Sequence, residues 1–201
     1  MQGLTVLRMN VGETSGVASA VHPFPDLYRA KSTESLLTTY EAAPQRFARA
    51  IEDLSPEELS RRVLPGKWTI REIVAHVADS ELCGALRFRL VLSQSRPPLP
   101  AYDQDRFAGA LAYAEYDSAL LADTLDLFGR LRSVTSRLLR RATDAAWSRT
   151  GDHREWGEMT LRQLLELYAD HGERHLSQIL ERRRAIGRPV VMEPLLPERL
   201  Y

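Results

Sequence analysis

Residues 168–175 read Tyr-Ala-Asp-His-Gly-Glu-Arg-His and lie inside a segment whose pattern predicts a helix from position 160 to about 184. Apolar residues recur there at intervals typical of one helix face, at Leu161, Leu164, Tyr168 and Ile179. His171 and His175 fall on the same stripe. The buried face of this helix is therefore predicted to carry two imidazoles one turn apart.

The spacing of this histidine pair has a chemical consequence. Side chains four residues apart on a helix are neighbours, so both rings can reach one atom. A buried imidazole without a polar partner costs about 1–3 kcal/mol. A divalent metal would satisfy both rings, and so would carbonyl or carboxylate groups across the core. The pair alone leaves both interpretations open.

Composition and charge narrow the class of protein. The chain has 201 residues and a formal net charge of zero, so one domain is expected, with no electrostatic reason for a nucleic-acid or membrane partner. Cys83 is the single cysteine, which predicts a reducing compartment. We find no signal-peptide pattern and no apolar run of about 18 residues. These features predict a cytoplasmic protein.

Four long amphipathic segments predict an all-α protein, a four-helix bundle. The segments cover about 32–53, 69–95, 117–142 and 160–184. No segment shows a strand pattern, and His153 is predicted to lie exposed in a loop. The long connection from 96 to 115 is predicted to lack regular structure and to allow a crossover between the second and third helices.

Two of the predicted helices have stripes that assign residues to the core. On the second helix the stripe consists of Ile70, Ile73, Val74, Val77, Leu82, Ala85, Leu86 and Leu90. On the third helix it consists of Leu120, Thr124, Leu127, Leu131, Val134 and Leu138. The outer face of the third helix is predicted to be rich in arginine, at Arg130, Arg132, Arg137, Arg140 and Arg141.

A third histidine completes a candidate metal site. His76 lies beside the stripe of the second helix, and by itself would be assigned to a partly exposed face. In helix bundles, however, metal sites are built from inward side chains of facing helices. His76, His171 and His175 can therefore converge, and three neutral nitrogen ligands leave positions open, as in catalytic zinc sites. The ligand type does not identify the metal.

The chain divides into three parts by composition. Residues 1–20 are predicted to form a weakly ordered extension, 21–187 the metal-binding bundle, and 188–201 an irregular tail.

Three motifs together resemble the DinB/YfiT-like family. Residues 68–80, WTIREIVAHVADS, resemble its second-helix motif, residues 87–107 the loop of the YfiT type, and residues 171–175 its fourth-helix pair. The resemblance covers about 22–182 and implies a bundle, often dimeric, whose divalent metal is held by His76, His171 and His175. Phe107 departs from the family, since a tryptophan is common there.

The resemblance implies two activities. Some relatives resemble transferases of a low-molecular-weight thiol, bacillithiol or mycothiol, and others are labelled metal-dependent hydrolases. The YfiT branch favours the thiol transferase, with zinc or nickel as the metal and iron or manganese as alternatives. Asp79 or Ser80 would then orient His76, while Tyr102 and Arg106 would contact an anionic cosubstrate. A non-enzymatic, stress-related binding protein is the third interpretation.

Overall fold

A computed structural model describes Tyr28 and residues 30–196. Its six α-helices are α1 (Thr33–Ile51), α2 (Pro56–Ser60), α3 (Ile70–Ser93), α4 (Gln104–Ala110), α5 (Ser118–Leu139) and α6 (Leu161–Ala185). The long helices α1, α3, α5 and α6 form the predicted four-helix bundle. In that bundle α3 packs against α5 and α6, and α1 packs against the same two helices. Because α3 directly faces α6, side chains from these two helices can meet in the core.

Side-chain caps fix where the long helices begin. The Thr69 hydroxyl accepts from the Glu72 backbone N–H, while the Glu72 carboxylate accepts from the Thr69 N–H. Thr160 and Gln163 form the same arrangement at the start of α6. A cap of this kind satisfies backbone N–H groups that have no partner within the helix. The caps therefore set the starts of the two helices that carry the histidines.

The structure also contains a small sheet, and the prediction that the chain has no strands was wrong. Strand β1 (Pro98–Leu99) pairs in parallel with β2 (Thr150–His153), and β2 pairs antiparallel with β3 (Gly157–Thr160), which leads directly into α6. Strands of two to four residues are too short to show an alternating pattern. The sheet buries His153, which is 5% exposed, so its prediction as an exposed loop residue was also wrong.

The long connection between α3 and α5 is more ordered than predicted. It contains β1, helix α4 and a 3-10 turn at Tyr113–Glu115. The Asp103 carboxylate caps α4 by accepting from the backbone N–H groups of Asp105 and Arg106. The connection is therefore held against the bundle by regular elements, and α4 packs on α3.

The apolar stripe predicted for α5 is largely exposed, whereas that of α3 is mostly buried as predicted, at Ile70, Ile73, Val74, Val77 and Ala85, with two exceptions. Large apolar residues on α3 and α5 are instead 37% to 53% exposed: Leu82, Leu86, Leu120, Leu127, Val134 and Leu138. On α5 the buried positions are Leu121, Phe128, Arg132, Thr135, Ser136 and Leu139. Apolar residues stand side by side along this helix, so the pattern alone does not choose between two faces.

Arg132 explains which face of α5 turns inward, and its prediction as an outer-face residue was wrong. Its side chain is 1% exposed, and its Nε lies 2.8 Å from Oε2 of Glu81 on α3. Its remaining nitrogens donate to the backbone carbonyls of Tyr40 on α1 and Tyr168 on α6, at 2.9 and 2.8 Å. The Tyr40 hydroxyl donates to Glu81 as well. This Arg132–Glu81 pair joins all four long helices.

A close approach between α3 and α6 gives a test of this packing. A Cβ at Gly84 would lie 2.4 Å from the ring of Tyr168, which is buried and whose hydroxyl accepts from Arg87. We expect Gly84→Ala to lower the free energy of unfolding by about 1–3 kcal/mol, because the buried ring would have to move away from its hydrogen bond with Arg87. Urea unfolding measures this. Gly109→Ala is the control, since no atom lies within 4 Å of a Cβ there; an equal loss in both variants would contradict the packing argument.

Beyond α6, residues 188–196 contain neither helix nor strand and lie along the bundle. Arg188 forms ion pairs with Asp53 and Glu58, and Leu196 is buried in the core. The predicted extension at 1–20 and the last residues of the predicted tail, 197–201, lie outside the described residues. Within the described residues, no helix is long and apolar enough to cross a membrane.

Candidate metal centre

Three histidines from two facing helices converge in the bundle core. Nε2 of His171 lies 3.1 Å from Nε2 of His76 and 3.1 Å from Nε2 of His175. One ligand atom from each ring lies within 4.8 Å of the others. The four-residue spacing places the α6 pair on one face, and the contact between α3 and α6 brings His76 to it. The structure thus brings the three residues together; their role as metal ligands stays a prediction.

Burial keeps the three rings neutral. His76 is fully buried, and burial together with the charge of Arg174 lowers its pKa to about 4. Burial also lowers the pKa values of His171 and His175 well below the usual range, and the neighbouring imidazoles add to the effect. The Trp68 ring, 4.6 Å from that of His76 between centroids, closes one side. A neutral imidazole is the form whose lone pair binds metal.

His175 and His76 differ in the hydrogen-bond partner of Nδ1, the ring nitrogen that does not face the other two histidines. Nδ1 of His175 lies 3.0 Å from Oε1 of Gln178, a contact that leaves Nε2 free to face the other rings. Sequence reasoning missed Gln178, although its position three residues further on α6 is a usable signal. Nδ1 of His76 is buried and has no hydrogen-bond partner within the part of the chain that the structure describes.

Asp79 and Ser80, which the sequence predicted to orient His76, have other contacts. The Asp79 carboxylate accepts a hydrogen bond from the Tyr113 hydroxyl in the connection after α3. Ser80 lies in the wall of a neighbouring cleft beside Tyr102. Neither side chain is hydrogen-bonded to His76 among the described residues.

The donor set fits a divalent cation. A shared cation would satisfy three Nε2 lone pairs that otherwise face one another at short distance. Among the described residues, no carboxylate or thiol belongs to this group of ligand atoms. Three imidazoles would leave coordination positions open to a small molecule, as in catalytic zinc sites.

A cleft of about 690 Å³ reaches His171. Tyr102 and Arg106, predicted to bind an anionic cosubstrate, both line it. Its wall holds more positive than negative side chains: four arginines, Arg87, Arg106, Arg154 and Arg174, against Asp103 and Glu155. A cleft with this excess attracts anions.

The lowered pKa values predict how the metal-free protein responds to acid. An unfolded histidine has a pKa of about 6.5, whereas that of folded His76 is about 4. The folded state binds fewer protons between these values, so the free energy of unfolding falls as pH drops from about 6.5 toward 4. We expect His76 to contribute about 1–2 kcal/mol to the loss at about pH 5, and His171 and His175, whose pKa values are also lowered, to add to it.

Urea unfolding of chelator-treated protein, near pH 7.5 and near pH 5, measures this loss. In His76→Phe the difference between the two pH values should shrink, because one titrating group is gone. A difference as large in this variant as in the wild-type protein would show that other groups cause it.

The bundle and its histidine trio define a class: helical-bundle proteins with a candidate metal site between two facing helices. Residues 39–179 match the sequence profile of the DinB superfamily. The chain belongs to the DinB superfamily, which confirms the resemblance drawn from the three motifs.

Similar proteins carry names that refer to metal. A protein of Bacillus mycoides (strain KBAB4) named "Putative metal-dependent hydrolase" is 32% identical over 148 residues, 73% of this chain and 83% of the relative. A protein of the same name from Bacillus cereus (strain B4264) is 30% identical over 165 residues, 80% of this chain and 92% of the relative.

Two solved structures share the fold. YfiT from Bacillus subtilis, described as a probable metal-dependent hydrolase with an unusual four-helix bundle topology, superposes with a TM-score of 0.73 at 28% identity, covering 79% of this chain and 91% of YfiT. A mycothiol-dependent maleylpyruvate isomerase superposes with a TM-score of 0.58 at 15% identity, covering 73% and 60%.

Proposed function

We propose that this protein is a metal-dependent transferase that moves a low-molecular-weight thiol, similar to bacillithiol, onto electrophilic small molecules. The observation that carries the proposal is the histidine trio at the end of a cleft with excess positive charge. His76, His171 and His175 would hold one divalent metal, zinc or nickel before iron or manganese. A metal held there would supply Lewis acidity that lowers the pKa of a bound thiol or water.

The chain's own residues supply binding and orientation. The bundle core keeps His76 and His175 dry and neutral, and Gln178 fixes the ring of His175. Tyr102 and Arg106, on the cleft wall, would contact the anionic part of the thiol, with Arg106 suited to bidentate pairing with a carboxylate. We revise the roles of Asp79 and Ser80, because the Asp79 carboxylate accepts from the Tyr113 hydroxyl and Ser80 lies in the cleft wall.

Hydrolysis is the second candidate, and the names of the Bacillus relatives favour it. A hydrolase of this kind needs a base beside the attacking water, usually a carboxylate. Among the described residues, no carboxylate oxygen lies in the trio's group of ligand atoms, so such a base would have to come from outside that group, for example from Asp103 or Glu155 in the cleft wall. The mycothiol dependence of the isomerase with the same fold is in line with thiol chemistry.

The test is a comparison of two reactions on zinc-loaded and nickel-loaded protein. We expect conjugation of bacillithiol with monochlorobimane, above the rate without protein, and loss of that rate in His171→Ala. Turnover of an ester or amide without added thiol would contradict the transferase activity and support the hydrolase activity. If the protein catalysed neither reaction with either metal, the remaining interpretation would be a non-enzymatic binding protein.

We also propose a homodimer in the cytoplasm. The exposed stripe on α5, formed by Leu120, Leu127, Val134 and Leu138, is suited to a second copy of the chain, and the unpaired Cys83 fits a reducing compartment. Light scattering should give twice the chain mass for the wild-type protein and the single chain mass for Leu127→Glu. A wild-type protein of single chain mass would contradict the dimer.

A further inference from the structure

Arg87, on α3, is an arginine with unusual surroundings. Its side chain lies in the cleft wall, yet the residue is only 5% exposed. Nε and Nη2 donate to the backbone carbonyl of Pro100, and Nη1 donates to the Tyr168 hydroxyl at 2.9 Å. Within the described residues it has no ion pair with a carboxylate. A buried positive charge without a counter-ion is costly, which points to an anion supplied by a ligand.

The hydrogen bonds of Arg87 leave part of its guanidinium available. The group has five N–H donors, and the three contacts to Pro100 and Tyr168 leave two. The guanidinium also lies above the ring of Tyr102, with 6.0 Å between Cζ and the ring centroid. Its position is thus fixed from three sides, as a preformed anion site requires.

His153 provides a second donor next to Arg87. Strand pairing sets Leu99 opposite His153, and the following residue, Pro100, is the one whose carbonyl accepts from Arg87. Nδ1 of His153 accepts from the Glu155 backbone N–H, which puts the proton of the neutral ring on Nε2. No described residue is hydrogen-bonded to Nε2, and the ring lines the cleft.

We propose that Arg87 and Nε2–H of His153 form a binding site for one carboxylate of a small organic acid, at the wall of the cleft that reaches His171. Burial and the charge of Arg87 lower the pKa of His153 to about 4, so this ring acts as a neutral donor. The pair therefore offers one full positive charge, which matches a carboxylate better than a doubly charged phosphate. The two acidic side chains in the cleft wall are Asp103 and Glu155. The Asp103 carboxylate already caps α4, by accepting from the backbone N–H of Asp105.

This site rests on the proposed function and extends it, because it would make the same cleft selective for substrates that carry a carboxylate. The binding itself does not need the metal. The carboxylate belongs either to the thiol or to the electrophile. Both sources share the chemistry of a short organic acid, and the experiment separates them.

Calorimetric titration with succinate tests the site on the full chain, both zinc-loaded and chelator-treated. We expect saturable binding in both forms, weakened about tenfold or more by Arg87→Gln and by His153→Phe, which keeps an aromatic ring against Trp156. Arg89→Gln is the matched control: it removes the same charge from the same helix, but Arg89 contacts Ala85 and Thr135 instead. It should bind within about twofold of the wild-type protein.

Several outcomes would overturn the site. Dimethyl succinate or inorganic phosphate binding as tightly as succinate would contradict a carboxylate site. Binding that requires zinc and survives Arg87→Gln would be binding to the metal. A different result would separate this site from the proposed function. If the protein failed to bind zinc but the chelator-treated protein still bound succinate, the proposed function would be wrong and the carboxylate site would be supported.

Mercaptosuccinate distinguishes the two sources of the carboxylate. If the thiol substrate carries the carboxylate, loading with zinc should increase the affinity for mercaptosuccinate more than the affinity for succinate. The reason is that one mercaptosuccinate molecule then contacts both Arg87 and the metal. If zinc changes both affinities equally, the carboxylate belongs to the electrophile.

Discussion

Replacing His171 with alanine is expected to abolish stoichiometric metal binding. Its Nε2 lies 3.1 Å from Nε2 of both His76 and His175, so its loss removes one of the three ligands from the shared site. Loss of a residue that only orients a ligand costs about 10–100-fold in metal affinity, so loss of a ligand should cost more than about 100-fold. Elemental analysis after dialysis against zinc or nickel measures it.

The design needs a protein free of affinity tags and a matched histidine control. Wild-type protein should retain one equivalent of metal, and His76→Ala should lose it as His171→Ala does, which would test the contribution of α3. His153→Phe also removes a buried histidine, but one outside the trio. It should keep the metal. If His171→Ala bound metal as tightly as the wild-type protein, the assigned centre would be wrong.

Replacing Arg132 with methionine is expected to cost about 3–5 kcal/mol of the free energy of unfolding. The reason is the carboxylate left behind: both side chains of the Arg132–Glu81 pair are 1% exposed, so Glu81 would be buried without its counter-charge. Two backbone carbonyls, those of Tyr40 and Tyr168, would also lose a donor. Urea unfolding near neutral pH measures the change.

A double variant separates the lost charge partner from lost packing. Replacing both members of a buried ion pair by apolar residues of similar volume is often neutral or stabilising. Arg132→Met combined with Glu81→Met should therefore be more stable than Arg132→Met alone. If the second substitution added a further loss, the cost of the first would not come from an uncompensated charge.

The Arg132–Glu81 pair also bears on the metal centre. Arg132 bonds the carbonyl of Tyr168, one turn before His171 on α6, and Glu81 follows His76 on α3. A Cβ at Gly172 would lie 3.0 Å from Nη1 of Arg132, so the close approach of α6 to this arginine depends on a glycine next to a candidate ligand. The pair thus fixes the two helices that carry the trio relative to each other.

Much of the fold and of the candidate site could be predicted from the sequence, because the relevant signals are local. The threonine caps at Thr69 and Thr160 and the helical periodicity place the histidine-bearing helices. The spacing of His171 and His175 predicts that their side chains lie next to each other, since a helix brings residues four apart to one face. The three motifs together also identified the family.

Other features depended on partners distant in the sequence. The sheet that buries His153 requires β1 to pair with β2 more than fifty positions later, and no local pattern announces a strand of two residues. The inward face of α5 was mistaken because an arginine is assigned to the surface unless its buried partner, Glu81, is known. Arg87, which has no ion pair with a carboxylate among residues 30–196, likewise becomes a candidate site only once the cleft around it is formed.

The sequence by itself determined the four long helices, the caps of α3 and α6 and the two histidines of α6, since backbone geometry converts spacing along the chain into proximity. Tertiary structure alone decided which face of α5 is buried and which side chains occupy the cleft. The physical reason is that burial of a charged or polar group is decided by the partner that compensates it. Such a partner can lie on any helix of the fold.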